Sequence, residues 1–282
     1  MPPLEDVRPP LEDVRPPLED VRGGLDAALI RRELGRLGAV SARPLEVRDA
    51  TVSTNDDARV GASAGAPDGA AWVADHQRGG RGRRGRHWHS PPGENVYLSV
   101  LFRLALAPRA LAPLSLVAGL AVSEVVANHI GSDGVGIKWP NDVLVAGRKV
   151  AGILVETTIR EGEAVAIVGV GLNVGTTDFG ASGARFRRPP TSLALEGRAP
   201  PRERVVAELL VALGRHVDDY RRQGWSPAAR EALRRRDVLF GTRLRLEDGR
   251  TGLAEGFADD GALRLRGPDG RLVEVRSGEV VS

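Results

Sequence analysis

Five arginines fall within nine residues: Arg78, Arg81, Arg83, Arg84 and Arg86, interleaved with Gly79, Gly80, Gly82 and Gly85. Glycine lets a backbone come close to a ligand. Arginine offers a planar fork to a carboxylate or a phosphate. The chemistry such a stretch suits is the binding of an anion, and three readings compete. It could be an RGG-type nucleic-acid tail. It could be a dinucleotide fingerprint, since Gly80, Gly82 and Gly85 spell G-x-G-x-x-G. It could be an ordered anion-binding loop of another kind. The fingerprint requires a helix straight after the glycines, and Pro91, Pro92 and Gly93 stand in the way. An RGG tail requires repeats and low-complexity flanks, whereas here one copy lies between strand-like runs, so the ordered loop fits better. Two guanidiniums 4 Å apart repel by ~4 kcal/mol at an effective dielectric of about 20. Such repulsion must be offset by an anion or by acidic neighbours, and the loop is expected to be mobile when empty and ordered by an anionic ligand.

Lysine is the second signal. The chain has two, Lys138 and Lys149, both in "KWPNDVLVAGRKVAG", where every other base is arginine or histidine. A compact ammonium differs chemically from a guanidinium, so a lone lysine marks a place where that difference could matter; a lysine in a turn by chance is the plainer alternative. His87 and His89 form an H-x-H pair without an evident third ligand and are read as structural. No G-x-x-x-x-G-K-[ST] phosphate loop exists, and the absence of cysteine excludes disulfides, thiolate metal sites and an enzyme-bound thioester.

The elements that must hold these residues are legible in outline. The 282 residues suit one large domain and a small one. "PPLEDVR" occurs three times from Pro2 to Arg22, and its Pro-Pro pairs forbid a continuous helix. Residues 1–24 are therefore read as a disordered tail. "LDAALIRRELGRLG" predicts a helix, "LEVRDAT" and "AAWVAD" short strands, and "STNDDARVGASA" a helix opened by capping residues. "NVYLSVLFRL" predicts a strong strand, and "LAPLSLVAGLAVSEVVANHIG" a long helix with Pro113 in its first turn. "VGIKW", "DVLVAG", "KVAGILVETTIR" and "AVAIVGVGLNV" predict a run of strands turning at Pro140–Asn141, Gly147–Arg148 and Gly162. Two helices follow, in "PRERVVAELLVALGRHVDDYRRQG" and "SPAAREALRRRD". From about Val238 the short alternating runs and D-G turns predict a small antiparallel β module. The fold class is α+β, divided as tail 1–24, core 25–236 and module 237–282. No stretch approaches ~20 uninterrupted apolar residues and no secretory pattern opens the chain, so no membrane span is expected and the cytoplasm is the expected location. The isoelectric point near 9.9 reflects arginine rather than charge excess, because the net charge is only +3.

Four stretches taken together resemble the biotin–protein ligases. They are "STN" at Ser53–Asn55, "QRGGRGRRGRHW" at Gln77–Trp88, "KWPNDVLVAGRKVAGIL" at Lys138–Leu154 and "GVGLNV" at Gly169–Val174. The resemblance covers roughly Val47 to the C-terminus. It implies a catalytic domain similar to class II aminoacyl-tRNA synthetases with a small SH3-like β-barrel after it. It implies an enzyme that joins biotin and Mg-ATP into biotinyl-5′-AMP and passes biotin to a lysine of a biotin carboxyl carrier protein. It places Ser53, Thr54, Asn55 and Gln77 around the ureido head, although Ser53–Asn55 alone would read as helix capping. Gly80, Arg81, Gly82, Arg83, Lys149, Gly152 and Leu154 follow along the rest of biotin. Arg81, Arg84, Arg86, Trp88, Asn141, Lys149 and Asn173 fall to the nucleotide. Lys149 bridges carboxylate and α-phosphate, Arg83 assists, and Asp142 is expected to orient the incoming amine. Trp139 is read as packing. Magnesium arrives with ATP, and its ligands cannot be named.

Two alternatives remain open: an ATP-dependent lipoate-type ligase of the same superfamily, and an RNA-binding protein using the RGG stretch. Some ligases of this kind also bind operator DNA through an N-terminal domain. Only about thirty non-repetitive residues precede Ser53, so no DNA binding is expected. Either a monomer or a homodimer is compatible with the sequence.

Overall fold

The computed structural model describes residues 24–39, 44–160, 163–180 and 189–281. The repeat tail and the turn at Gly162 lie outside the described residues. Five α-helices are described: α1 (Ala27–Arg36), α2 (Thr54–Ser63), α3 (Leu114–Ile130), α4 (Arg202–Gln223) and α5 (Pro227–Arg236). The first seven strands are β1 (Leu45–Thr51), β2 (Ala71–Gln77), β3 (Val96–Leu104), β4 (Val135–Lys138), β5 (Asp142–Val145), β6 (Arg148–Arg160) and β7 (Glu163–Leu172). They form one sheet in the order β1-β2-β3-β7-β6-β5-β4. β1 and β2 are parallel, and every other neighbouring pair is antiparallel.

β3 shows how the two faces divide. Its even positions, Val96, Leu98, Val100, Phe102 and Leu104, enter the main core with α1, α3 and α4. Leu101 points the other way, into a smaller cluster with Ala58 of α2, Trp72 and Ile167. That is the period-two rule of a strand covered on both sides. Helix α2 covers only part of its face, and the rest is left for the site.

The remaining strands, β8 (Arg243–Arg245), β9 (Thr251–Phe257), β10 (Leu263–Arg266) and β11 (Leu272–Val275), make a separate four-stranded antiparallel sheet. This module is joined to the core by a shared apolar cluster. Leu116 and Leu120 of α3, Ile137, Trp139 and Leu233 pack with Leu244, Leu263, Leu265 and Val275. Helix α3 therefore has apolar residues all round, because two cores meet on it. By length and composition Pro108–Ile130 could span a membrane, with a mean hydropathy of 1.9, but 72% of that window is buried inside the fold. Trp139 packs in the shared cluster, and its Nε1 donates to Gly261 O at 3.1 Å.

Candidate active site

After Gln77 the chain does not enter a helix. It folds back on itself as a short hairpin. Trp88 N donates to Gly80 O at 2.9 Å and Gly82 N to Arg86 O at 2.7 Å, and Arg81 pairs with His87. At the tip Arg84 (φ 59°) and Gly85 (φ 71°) are both left-handed. For a residue other than glycine that conformation costs roughly 1–2 kcal/mol. A Cβ on Gly80 would lie 2.7 Å from Ser90 Oγ and 2.9 Å from Trp88 O, so the hairpin base closes only around a bare Cα.

The hairpin hangs over a cavity of about 640 Å³, lined among others by Ser53, Thr54, Asn55, Gln77, Arg83 and Trp88. One end of the cavity is polar and uncharged. Ser53 sits at the N-cap of α2, yet its side chain makes no capping hydrogen bond. The capping reading thus describes its position and not what its hydroxyl does. Thr54 N donates to Gln77 Oε1 at 3.0 Å, and Gln77 Nε2 donates to Ser90 Oγ at 3.1 Å. Ser99 Oγ lies 2.6 Å from Asn55 Oδ1 and 2.8 Å from Thr54 Oγ1. A hydroxyl has one proton, and Asn55 Oδ1 can only accept. Ser99 therefore donates to Asn55, and Thr54 serves the second contact. Ser99 is fully buried on β3; a lone serine inside an apolar strand gave no signal of its role in the sequence.

The other end is cationic. Lys149 Nζ lies 2.6 Å from Asp142 Oδ1 and 5.2 Å from the centre of the Trp88 ring. A β-bulge aims this lysine. In the β5–β6 ladder Val143 faces Ala151 and Leu144 faces Lys149, which leaves Val150 as the extra residue. Val150 and Ala151 both enter the main core. The bulge thus turns Lys149 onto the face of Asp142 and Gly152, where a strict alternation would have sent it to the opposite face.

Between the two ends the wall is glycine and tryptophan. Added Cβ atoms on Gly152 and Gly171 would meet the Trp88 indole at 2.8 Å and 2.4 Å, and one on Gly169 would meet Asn55 Oδ1 at 2.2 Å. Ile153, Leu154 and Val170 complete this stretch. Trp88 Nε1 is buried without a hydrogen-bond partner.

Carboxylates of the chain itself, and not only a ligand, offset several of the loop arginines. Arg81 forks onto Asp56, Nη2 to Oδ1 at 2.6 Å and Nη1 to Oδ2 at 2.8 Å. The hydrogen bond from Arg81 holds Asp56 below the usual carboxylate range. Arg84 and Arg86 pair with Glu247 and Glu279 of the β module. Arg83 differs. No carboxylate stands within ion-pair distance of it among the described residues, and burial, then the charges of Arg84 and Arg86, push its guanidinium down from its ordinary range.

Most of the residues expected from the sequence meet here: Ser53, Thr54, Asn55, Gln77, Arg81, Gly82, Arg83, Arg84, Arg86, Trp88, Asn141, Asp142, Lys149, Gly152 and Leu154 line the cavity. Asn141 holds the β5–β6 edge through Nδ2 to Ile153 O at 2.9 Å. Gly80 shapes the hairpin base behind the lining. Asn173 also stands outside it, its Nδ2 donating to Thr191 O at 2.9 Å. Glu247 and Glu279 were not anticipated, since nothing in a surface-like β module says which side chains will face a distant loop.

The chain that builds this cavity has counterparts among known proteins. The sequence profile of the Biotin/lipoate A/B protein ligase family matches residues 52–173. The biotin–[acetyl-CoA-carboxylase] ligase of Mycobacterium tuberculosis is 38% identical over 267 residues, covering 91% of this chain and 95% of its own length. The bifunctional ligase/repressor BirA of Escherichia coli is 46% identical over 142 residues, covering 50% of this chain; the match spans 43% of that relative's length. Among solved structures, the biotin protein ligase from Aquifex aeolicus in complex with biotin and ATP superposes with a TM-score of 0.70 at 27% identity, covering 84% of this chain and 97% of that one. With near full-length likeness in sequence and in fold, this chain belongs to the biotin/lipoate A/B protein ligase family.

Proposed function

We propose that the chain is a biotin–protein ligase, which forms biotinyl-5′-AMP from biotin and Mg-ATP and transfers biotin to a lysine of a biotin carboxyl carrier protein. One observation carries the reading: a single cavity joins uncharged hydrogen-bonding groups at one end to Arg83 and Lys149 at the other. Biotin has that polarity, with a neutral ureido head, an apolar body and an acid tail. A lipoate-type ligand would set a ring without N–H or C=O groups against Thr54, Asn55 and Gln77. Polar groups left unpaired in this way are what makes such a site reject the wrong ligand.

In the first step a biotin carboxylate oxygen attacks the α-phosphorus of ATP, and pyrophosphate leaves. Both reactants are anions. Arg83, which has no carboxylate within ion-pair distance among the described residues, meets the acid, and Lys149 stabilises charge gathering at phosphorus. Arg84 and Arg86, at the mouth, serve the phosphates, and Trp88 packs beside the adenylate. In the second step the carrier lysine attacks the acyl carbon and AMP leaves. A free lysine amine is neutral in fewer than about one molecule in a thousand at pH 7. Asp142 is assigned to accept a hydrogen bond from that amine once Lys149 turns to the substrate anions.

The catalytic unit is taken as 25–236, with an architecture similar to class II aminoacyl-tRNA synthetases. The module 237–282 is taken as an SH3-like barrel; the four-stranded meander and the antiparallel bridge of Leu246 with Val280 support that. A cytoplasmic setting suits a reaction that draws on ATP. Pyrophosphate release on adding biotin to enzyme and Mg-ATP tests the function, with lipoate and octanoate as controls. Release with lipoate and none with biotin would overturn it.

A further inference from the structure

We propose that Asp56 is a positioning residue that sets the arginine hairpin in its binding geometry before any ligand arrives. The inference rests on the reading of this cavity as the biotin and ATP site. It departs from the expectation that an anionic ligand alone orders the loop.

Asp56 lies in the first turn of α2, directly after the pocket residues Thr54 and Asn55. Both of its oxygens are engaged by the two terminal nitrogens of Arg81. A bidentate fork of this kind fixes the plane and direction of the guanidinium. Arg81 is in the stem of the hairpin, paired across it with His87, the residue before Trp88. Fixing Arg81 therefore fixes the strand that carries Trp88, and with it the span that presents Arg83.

The clamp is itself anchored. Arg59, one turn along α2, donates to Asp56 Oδ1 at 2.5 Å and to Glu156 at 3.0 Å and 3.2 Å. Glu156 accepts from Asn55 Nδ2 at 2.7 Å. Four alternating charges thus run from the hairpin to the amide that lines the head pocket. They divide the labour of Arg81 in the stem and Arg83 in the turn. The fork to Asp56 fixes Arg81 in place, so Arg81 supplies geometry, while Arg83 meets the ligand's anionic end.

Asp56 also favours the positive end of α2, so a variant at Asp56 alone could act through the helix. Arg81→Gln breaks the same clamp without touching α2. The experiment takes the ligand-free full chain through limited trypsin digestion and follows cleavage at Arg83, Arg84 and Arg86, the sites common to all variants. It then measures KM for biotin and kcat in pyrophosphate exchange. Asp56→Asn and Arg81→Gln should each raise hairpin cleavage by about two- to fivefold, the range of a partly exposed ion pair. Each should raise the biotin KM by a similar factor, and Asp56→Asn should hold kcat within about twofold. The double variant should be no worse than Asp56→Asn, because both changes remove the Arg81–Asp56 pair. Wild-type cleavage in Asp56→Asn, or additive effects in the double variant, would overturn the proposal. The digestion arm needs no catalysis, so a chain inactive with biotin defeats the functional reading and leaves this inference to its own result.

Discussion

Lys149 and Asp142 hold each other at 2.6 Å, and the two proposed steps ask different things of them. Adenylation needs the ammonium at the phosphorus. Transfer needs a carboxylate near the attacking amine. Lys149→Ala should therefore lower the rate of biotinyl-5′-AMP formation by about two to three orders of magnitude, the usual cost of removing a group aimed at developing charge. Asp142→Asn should affect adenylation much less and slow transfer from preformed biotinyl-5′-AMP. Single-turnover measurements of each step separate the two. Equal losses in both steps for Asp142→Asn would assign it to holding Lys149 alone. The place of Lys149 in the cavity lining was signalled in the sequence because arginine is the chain's habitual base, and an exception stands out. The other lysine, Lys138, is buried, with Nζ 3.4 Å from Val280 O of the C-terminal segment. Scarcity alone did not separate the two; the R-K-x-x-G-I-L context did. Asp56 was invisible for the opposite reason. An acidic residue in a first helical turn is explained by the helix, and only the folded chain shows Arg81 on it.

The elements were read correctly wherever periodicity or turn chemistry was strong. β3 and α3 fall where the pattern put them, with Pro113 at the N-cap of α3 rather than in its first turn, and Ser226 caps α5 by accepting from Ala229 N at 3.1 Å. What pattern could not reveal is where alternation breaks. "RKVAGILV" reads as a plain strand, and a plain strand would not bring Lys149 to the face it occupies. The extra residue at Val150 depends on β5, an interaction the local sequence does not encode. The glycines of β6 and β7 were legible as motif but not as mechanism. Gly171 faces the indole of Trp88, where a Cβ would stand 2.4 Å from Cε2 and 2.5 Å from Nε1. Neither ring atom can yield without moving the whole side chain. Gly171→Ala should displace Trp88 and raise KM for biotin and for ATP by about tenfold or more, a binding loss of roughly 1.4 kcal/mol. Gly35→Ala is a fitting control, since nothing lies within 4 Å of its added Cβ in α1; there the change should leave both constants alone and favour the helix slightly. Unchanged KM values in Gly171→Ala would mean that Trp88 does not set the waist of the site.

At the level of the whole molecule, the chain is a core and a module that share α3 and the mouth of the cavity. The switch to short alternating runs near Val238 announced the module. That it docks on Leu116, Leu120 and Trp139, and lends Glu247 and Glu279 to the loop, is long-range packing that short-range pattern does not carry. The junction is Asp237. It pairs with Ile137 as an isolated parallel bridge, and its side chain accepts from Leu239 N at 2.9 Å. Its Oδ2 is buried with no partner, and burial pushes its carboxyl up from 3.8 to about 6. The sign follows from linkage. The folded chain binds this proton more tightly than the unfolded chain, so stability is lost as pH rises between those values, and the loss is complete above about pH 6. At 1.36 kcal/mol per unit the penalty is at most ~3 kcal/mol. Asp237→Asn keeps an oxygen for the Leu239 amide and removes the charge. It should unfold at higher denaturant than wild type at pH 8, with that advantage falling to roughly half at pH 5, where the unfolded carboxyl is ionised and the folded one largely is not. Denaturant titrations at the two pH values decide it. An advantage independent of pH would mean that the gain comes from packing, and a variant weaker at pH 8 would mean that the ionised carboxylate holds core and module together.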